Sequence, residues 1–372
     1  MINNMEELVE EFRQHKISRR QFIEKALKIG MTLPVAFNFL DAVMNPNKPH
    51  SHSWGTSEAY AADKPLRAVL ITIQRVGDLG PVDYMINGLK QGAKEYNYET
   101  KVVEALQGEY QETIEAAANE GNDLIIGLFP PIGDALKEAA RRHPKQHFAN
   151  LVGKITEDLP NLQSWWHAGE THTFLSACVA GFATKTKKMG AVLAVENEEQ
   201  YGFLAGYQQG FKYTSKSSEF YYNVIGGTSP FEDPFKAKQL ALILYERGAD
   251  VMGACGGKSA LGILDAAEES GQIGLGMDWD QCLSKPKYIL ASALNYLDKW
   301  VITVMKELRT NQWKPGYRHP GVADGLLDLC PYTDQRHILG PKLPQVVKDT
   351  VAKIVTDVKN RKININRNPI LT

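Results

Sequence analysis

Cysteine is scarce. The 372 residues hold four, Cys178, Cys255, Cys282 and Cys330, and none of the paired spacings that mark a metal site. They read as buried thiols and leave room for one disulfide if the chain is exported. Net charge is also missing: 42 basic side chains against 43 acidic ones give -1, which supplies no electrostatic case for nucleic acid. No run is long and apolar enough to span a bilayer in the mature chain, so direct membrane insertion is not expected. Gly257-Lys258-Ser259 ends like a phosphate-binding loop, but Met252 stands where the first glycine belongs. Gly77 and Gly80 do not complete a dinucleotide fingerprint, and no Gly-x-Ser-x-Gly elbow occurs. His167, Glu170 and His172 are spaced so that they do not share a helix face, and they read as surface or capping residues. No metal, no cofactor and no catalytic residue is expected.

What is present is alternation. Asp233 caps a helix, Pro234 opens it, and Ala237, Leu240, Ala241, Leu244 and Tyr245 form its apolar stripe before Gly248 ends it. Ala249 to Cys255 is a buried strand, and Gly256 and Gly257 turn into another helix. A looser copy lies earlier, where EGNDLIIG followed by GDAL parallels RGADVMG followed by KSAL. Strands are predicted near 66–72, 98–103, 123–128, 147–151 and 161–166, then 190–195, 219–225, 249–255, 272–277 and 287–294, with helices between them. This pattern is α/β, with two doubly wound, Rossmann-like lobes and a ligand cleft between them. Residues 315–341 read as irregular and 343–358 as a closing amphipathic helix.

The first 61 residues read as a targeting segment. Ser18-Arg19-Arg20-Gln21-Phe22-Ile23 resembles the twin-arginine export signature, and Ala59-Tyr60-Ala61 supplies the small-x-small cleavage pattern. Expected boundaries are 1–61 for the signal, 62–166 with 296–312 for the first lobe, and 167–295 with 313–372 for the second.

Ligands of such sheets bind beyond the carboxyl ends of the strands, in the loops that follow them. Phe129 to Asp134 is one such loop, and Gly256 to Ser259, with Gly257 at its turn, is its counterpart. Asp78 follows the first strand, and Asp278-Trp279-Asp280-Gln281 follows the strand ending at Met277. These carboxylates can accept hydrogen bonds from ligand hydroxyls or amines, and Phe231 and Trp279 can stack on a ring. For Asp134 the alternative is capping the helix after it; for Phe231 and Trp279 it is packing within a lobe.

Taken in order, FEDPFKAKQLALILYERGADVMGACGG, EGNDLIIG, ETHTFLSACVAGFATKTKKMG, FLAGYQQGFKY and GMDWDQ resemble the basic membrane protein family of periplasmic-binding-protein-like receptors, which includes purine nucleoside receptors. The resemblance runs from about Leu66 to Met305. It implies the type I periplasmic binding protein fold, with crossovers near Trp166, Asn295 and Trp313 and closure by hinge bending. It also implies that Phe231 stacks on a purine, Asp278 holds ribose hydroxyls, Asp134 lies near the acid that reads the base, and Asp78 is a further acid of the first loop. Pro81 and Val82 stand where the family has phenylalanine and asparagine, and Asn295 where it has lysine. The expected protein is a monomeric, exported, periplasmic solute-binding protein that delivers a small polar or ring-containing ligand to ABC importer permease subunits. A receptor for a membrane signalling partner on the same fold, and an exported enzyme using Asp278 and Asp280, are the alternatives.

Overall fold

The structure, a computed structural model, describes residues 64–77, 80–282, 284–330 and 343–371, with a few positions between 8 and 25. The chain divides into two compact units, Met1–Asp63 and Lys64–Thr372. In the first, Leu8 and Phe22 are buried, and the Phe12 and Phe22 rings meet edge to face at 5.2 Å. The arginine pair at 19–20 and the cleavage pattern at 59–61 lie outside the described residues.

The second unit opens with β1 (Leu66–Thr72), α1 (Pro81–Tyr96), β2 (Tyr98–Glu104), α2 (Tyr110–Asn119), β3 (Leu124–Leu128), α3 (Gly133–Arg142), β4 (His147–Leu151) and β5 (Leu162–Trp165). A second run follows as α4 (Gly169–Ala183), β6 (Lys188–Leu193), α5 (Glu198–Thr214), β7 (Glu219–Val224), α6 (Pro234–Glu246), β8 (Val251–Ala254), α7 (Ala260–Ser270), β9 (Ile273–Asp278) and β10 (Ile289–Asn295). Then come α8 (Leu297–Arg309), β11 (Gly316–Arg318), β12 (Leu327–Leu329) and α9 (Gln345–Lys359). The strands form two sheets, ordered β2-β1-β3-β4-β5-β11 and β7-β6-β8-β9-β10-β12. All pairings are parallel except that of β10 with β12. Each lobe thus reverses its strand order beside its first strand, and that reversal leaves a crevice at the carboxyl edge.

Local signals explain the elements. The Asp233 carboxylate accepts from the Lys236 amide at 2.9 Å, and Pro234 takes the first helical position of α6. Past its end, Gly248 adopts φ +95° and donates to the Tyr245 carbonyl at 2.8 Å, a left-handed stop that glycine takes without a Cβ clash. The glycine shared by EGNDLIIG and RGADVMG has a packing cause. A Cβ at Gly127 would lie 2.5 Å from Leu136, and one at Gly253 would lie 2.8 Å from the Tyr207 ring. Both strands therefore need a bare backbone for the side chain that covers them.

One expected boundary moves. β11 pairs in parallel with β5, Gly316 opposite Gln163 and Arg318 opposite Trp165, so the chain leaves the first sheet after Arg318 and not near Trp313. The residues 315–341, expected to be irregular, contain β11 and β12, because three-residue edge strands carry too short a pattern to read. α8 rests on α1 where Gly88 meets the Asp298 backbone.

α4 and α5 cross at unusually close range. Gly206 faces the Glu170 carbonyl and Gly210 the Phe174 carbonyl, and a Cβ on either would overlap backbone. Backbone cannot rotate aside as a side chain can. Gly210→Ala is expected to cost about 2–4 kcal/mol by overpacking, read as a lower midpoint in urea denaturation, whereas Gly226→Ala, with open space around it, meets only the strain of a left-handed backbone at φ +58°, about 1 kcal/mol.

Candidate functional site

The site is built at the carboxyl edge of the second sheet. β9 ends on Asp278, which holds φ +67°, a left-handed conformation uncommon outside glycine and tolerated by aspartate. The turn after it is tight. The Trp279 amide donates to the Met277 carbonyl at 2.9 Å, and the Gln281 side chain accepts from the Met277 amide at 2.9 Å. The Gln281 amide in turn donates to Ser292 Oγ at 3.1 Å, and Asp280 Oδ1 accepts from the Cys282 amide at 3.1 Å. Trp279 is buried, with 7% of its surface exposed. On the neighbouring strand Leu294 stands opposite Asp278, and the next residue, Asn295, is buried with its Oδ1 unbonded.

The facing loops are stitched together by Ser259. Its hydroxyl donates to the Pro230 carbonyl at 2.9 Å and accepts from the Asp233 amide at 2.8 Å, while its own amide donates to the Phe231 carbonyl at 3.1 Å. This holds Phe231 against Gly257, where an added Cβ would lie 3.7 Å from the Phe231 Cβ. Gly257 itself sits at φ +56°.

Negative charge dominates the edge. Glu199, in the first turn of α5, has its carboxyl pushed up to about 7, first by burial and then by the charge of Asp278. Burial followed by the same Asp278 charge raises the Cys255 thiol. From the first lobe Tyr84, on α1, reaches the same field. Its phenol is raised by burial and then by Asp298, Tyr296, Asp278 and Asp280. Tyr84 and Glu199 are site residues that sequence reasoning missed. Glu199 carried no readable signal, since it sits beside Glu196 and Glu198 and reads as a solvated face. Tyr84 could have been found as the ring nearest the missing phenylalanine at Pro81.

The expected residues separate into groups. Asp278, Trp279 and Asp280 share one turn, Asn295 lies beside it, and Phe231 lies against Gly257. Asp134 is apart: its side chain is 95% exposed and pairs with Lys137 at 3.0 Å, and no side-chain cap is made at the start of α3. Asp78 lies outside the described residues. A further reading is corrected. His167, Glu170 and His172 are not surface residues but are buried, because the crossover after β5 and the start of α4 are covered by α5 and the 319–322 segment. His167 stacks on Phe203 at 5.2 Å and on Trp166 at 6.0 Å, and its Nε2 lies 3.3 Å from Glu199. Two of the four buried cysteines lie together: the Cys282 and Cys330 sulfurs are 3.5 Å apart, and with Asp280 their ligating atoms fall within 4.8 Å of one another. Sequence spacing could not show this, since 48 positions separate them.

The family described as ABC transporter substrate-binding protein PnrA-like matches residues 66–366. The ABC transporter nucleoside-binding protein BmpA of Lactococcus lactis subsp. cremoris is 27% identical over 348 residues, 87% of this chain and 95% of its own. Basic membrane protein A of Borreliella burgdorferi is 26% identical over 237 residues, 62% of this chain and 69% of its own. A solved ABC transporter solute-binding protein from Aeropyrum pernix K1 superposes with a TM-score of 0.71 at 20% identity, covering 81% of this chain and 93% of that one. A transcriptional activator of the comK gene from Bacillus halodurans superposes with a TM-score of 0.67 at 19% identity, covering 81% and 100%. At these identities the solved structures carry the fold alone, which is the two-lobed type I periplasmic-binding-like fold.

Glu199 supplies a test of the site's electrostatics. Its carboxyl is raised in the folded state, so its contribution is fully present below its ordinary value of 4.5 and is lost as pH rises through about 7. His167, held neutral by burial, offers no counter-charge there; Arg367 acts in the opposite sense to Asp278. Relative to Glu199→Gln, the wild type is expected to lose about 3 kcal/mol of unfolding free energy across that window, measured by urea denaturation at stepped pH. Parallel curves for the two proteins would show that Glu199 ionises freely.

Proposed function

The chain belongs to the PnrA-like family of ABC transporter substrate-binding proteins, and on that premise we propose that it captures a small, ring-containing polar solute in the periplasm and delivers it to an ABC importer. The observation that carries the reading is the turn at Asp278. The Asp278 carboxylate leaves β9 in a left-handed conformation, beside the buried Trp279 and close enough to Glu199 and Tyr84 for its charge to act on both. The Asp278 and Asp280 carboxylates accept hydrogen bonds, while the Tyr84 phenol and the Glu199 carboxyl can also donate, so the favoured ligand presents hydroxyl or amine donors together with an acceptor. Phe231 and Trp279 offer ring faces from the second lobe. Tyr84 takes the part of the first-lobe ring that Pro81 lacks, and Asn295 replaces a cation with an amide. A purine base or nucleoside fits this set, with less anionic tolerance than a lysine would confer.

Capture would proceed by closure of the lobes. The crossovers are tied to one another: the Trp166 amide donates to the Arg318 carbonyl at 2.9 Å, Ala168 to Pro320 at 2.8 Å and Tyr296 to Leu326 at 3.0 Å. A ribbon of this kind bends more readily than it slides. A ligand that touches both lobes stabilises the closed form by its differential affinity for it. The export reading at residues 18–23 supports the periplasmic setting.

The test is native mass spectrometry of the mature protein, then a thermal-shift screen of nucleosides, bases, sugars and amino acids. A nucleoside or base is expected to co-purify or to raise the melting temperature. Asp278→Asn should weaken that ligand by about 2 kcal/mol, roughly 30-fold, and Tyr84→Ala should weaken it too. Stabilisation by another class of solute, unaffected by Asp278→Asn, would overturn the assignment of the site, and turnover of the bound solute would favour the enzyme reading.

A further inference from the structure

We infer that Cys282 and Cys330 form a disulfide that fastens the ligand turn to the edge of the second sheet. This goes beyond the proposed transport role and does not depend on the ligand's identity. Cys282 lies four positions after Asp278, in the connection from β9 to β10, and Cys330 follows directly on β12. Their sulfurs are 3.5 Å apart, and both residues are buried, at 0% and 1% exposure. A disulfide needs about 2.0 Å, so each sulfur has less than about 1 Å to move. Ser292 of β10 sits between the two. Its hydroxyl lies 3.5 Å from the Cys282 sulfur, and its amide donates to the Cys330 sulfur at 3.1 Å, while the Cys330 amide donates to the Ser292 carbonyl at 3.0 Å. Ser292 thus holds the Cys330 backbone and both sulfurs in one place.

The neighbouring Asp280 invites a metal reading, but its Oδ1 already accepts the Cys282 amide, and closed structural zinc sites take four donors where these residues supply three. Burial, and then the neighbouring Cys330, raise the Cys282 thiol above the ordinary thiol range, which disfavours the thiolate a metal would need. Oxidation therefore belongs to the folding chain or to a local opening of the 278–289 connection. A small-molecule disulfide such as oxidised glutathione, or the active-site disulfide of an oxidoreductase, serves as oxidant. One cysteine thiolate attacks that disulfide and releases a thiol, leaving a mixed disulfide. The second cysteine then attacks the protein sulfur and expels the other thiol. Two protein S–H bonds and the oxidant's S–S bond are exchanged for one protein S–S bond and two thiols. The bridge closes a loop of 48 positions, which restricts the unfolded chain.

The experiment uses the mature chain refolded in a glutathione redox buffer, then alkylated under denaturing conditions and digested without reductant. A Cys282–Cys330 crosslinked peptide is expected, with Cys178 and Cys255 alkylated. Reduction should lower the melting temperature by about 5 °C or more in the wild type and leave Cys330→Ser unchanged. Alkylation of both Cys282 and Cys330 in the oxidised sample would overturn the inference, as would a crosslink between other cysteines or reduced thiols retaining zinc. If Cys330→Ser does not fold, the peptide map of the wild type decides the matter alone.

Discussion

The charge of the half-buried Asp278 at the carboxyl edge of the second sheet is the constraint on which the rest of the site depends. Asp278 is the source: its charge contributes to the raised Glu199 carboxyl, Cys255 thiol, Tyr207 phenol and Tyr84 phenol. Desolvating a carboxylate costs several kcal/mol unless partners compensate. The fold meets that cost in two ways. It lets Glu199 keep its proton below about pH 7, so that the second charge is absent. It also fixes the turn with neutral hydrogen bonds from Gln281, Ser292 and the backbone, so the strained φ of Asp278 is imposed by its surroundings.

The joint between the lobes is built from different forces. Lys154 and Glu198 pair across it at 2.7 Å, but both are well exposed, and exposed pairs contribute little. The stronger element is the stack of Trp166, His167 and Phe203, with Arg367 over the Trp166 ring at 5.5 Å. His172, inside the same packing, is pushed down to about 4 by burial and is neutral at ordinary pH. A joint held by neutral ring packing and backbone bonds changes little with salt. The proposed closure would then be governed by the ligand and not by ionic strength.

Much of the fold was legible because its signals are local. Asp233, Pro234 and Gly248 mark α6 by capping chemistry, and the strand runs of the two repeats are short, apolar and bounded by glycine. The Asp278 turn was legible as acids directly after a strand. Long-range features were not. β11 is recognisable only by its partner β5, the Cys282 and Cys330 contact only by the antiparallel pairing of β12 with β10, and Glu199 only by its distance from Asp278. The buried state of His167 and Glu170 was misread for the same cause, since what covers them arrives from residues 203 and 319.

The departures at Pro81 and Asn295 belong to one mechanical path. Proline opens α1 with its fixed φ, and the Asp83 carboxylate in its first turn accepts the Gly77 amide at 2.9 Å. Tyr84 rides on α1, whose Gly88 is seated on the backbone of Asp298 in α8. That helix begins directly after Asn295 and Tyr296, at the crossover from the second sheet. Any movement of the crossover is therefore passed to Tyr84 through packed helices with no flexible loop between them. Rigid elements hold a contact more tightly than loops do. The Tyr84 phenol is thereby carried on a helix, where the charges acting on it come first from Asp298 and Tyr296 at the crossover and then from Asp278 and Asp280 in the opposite lobe.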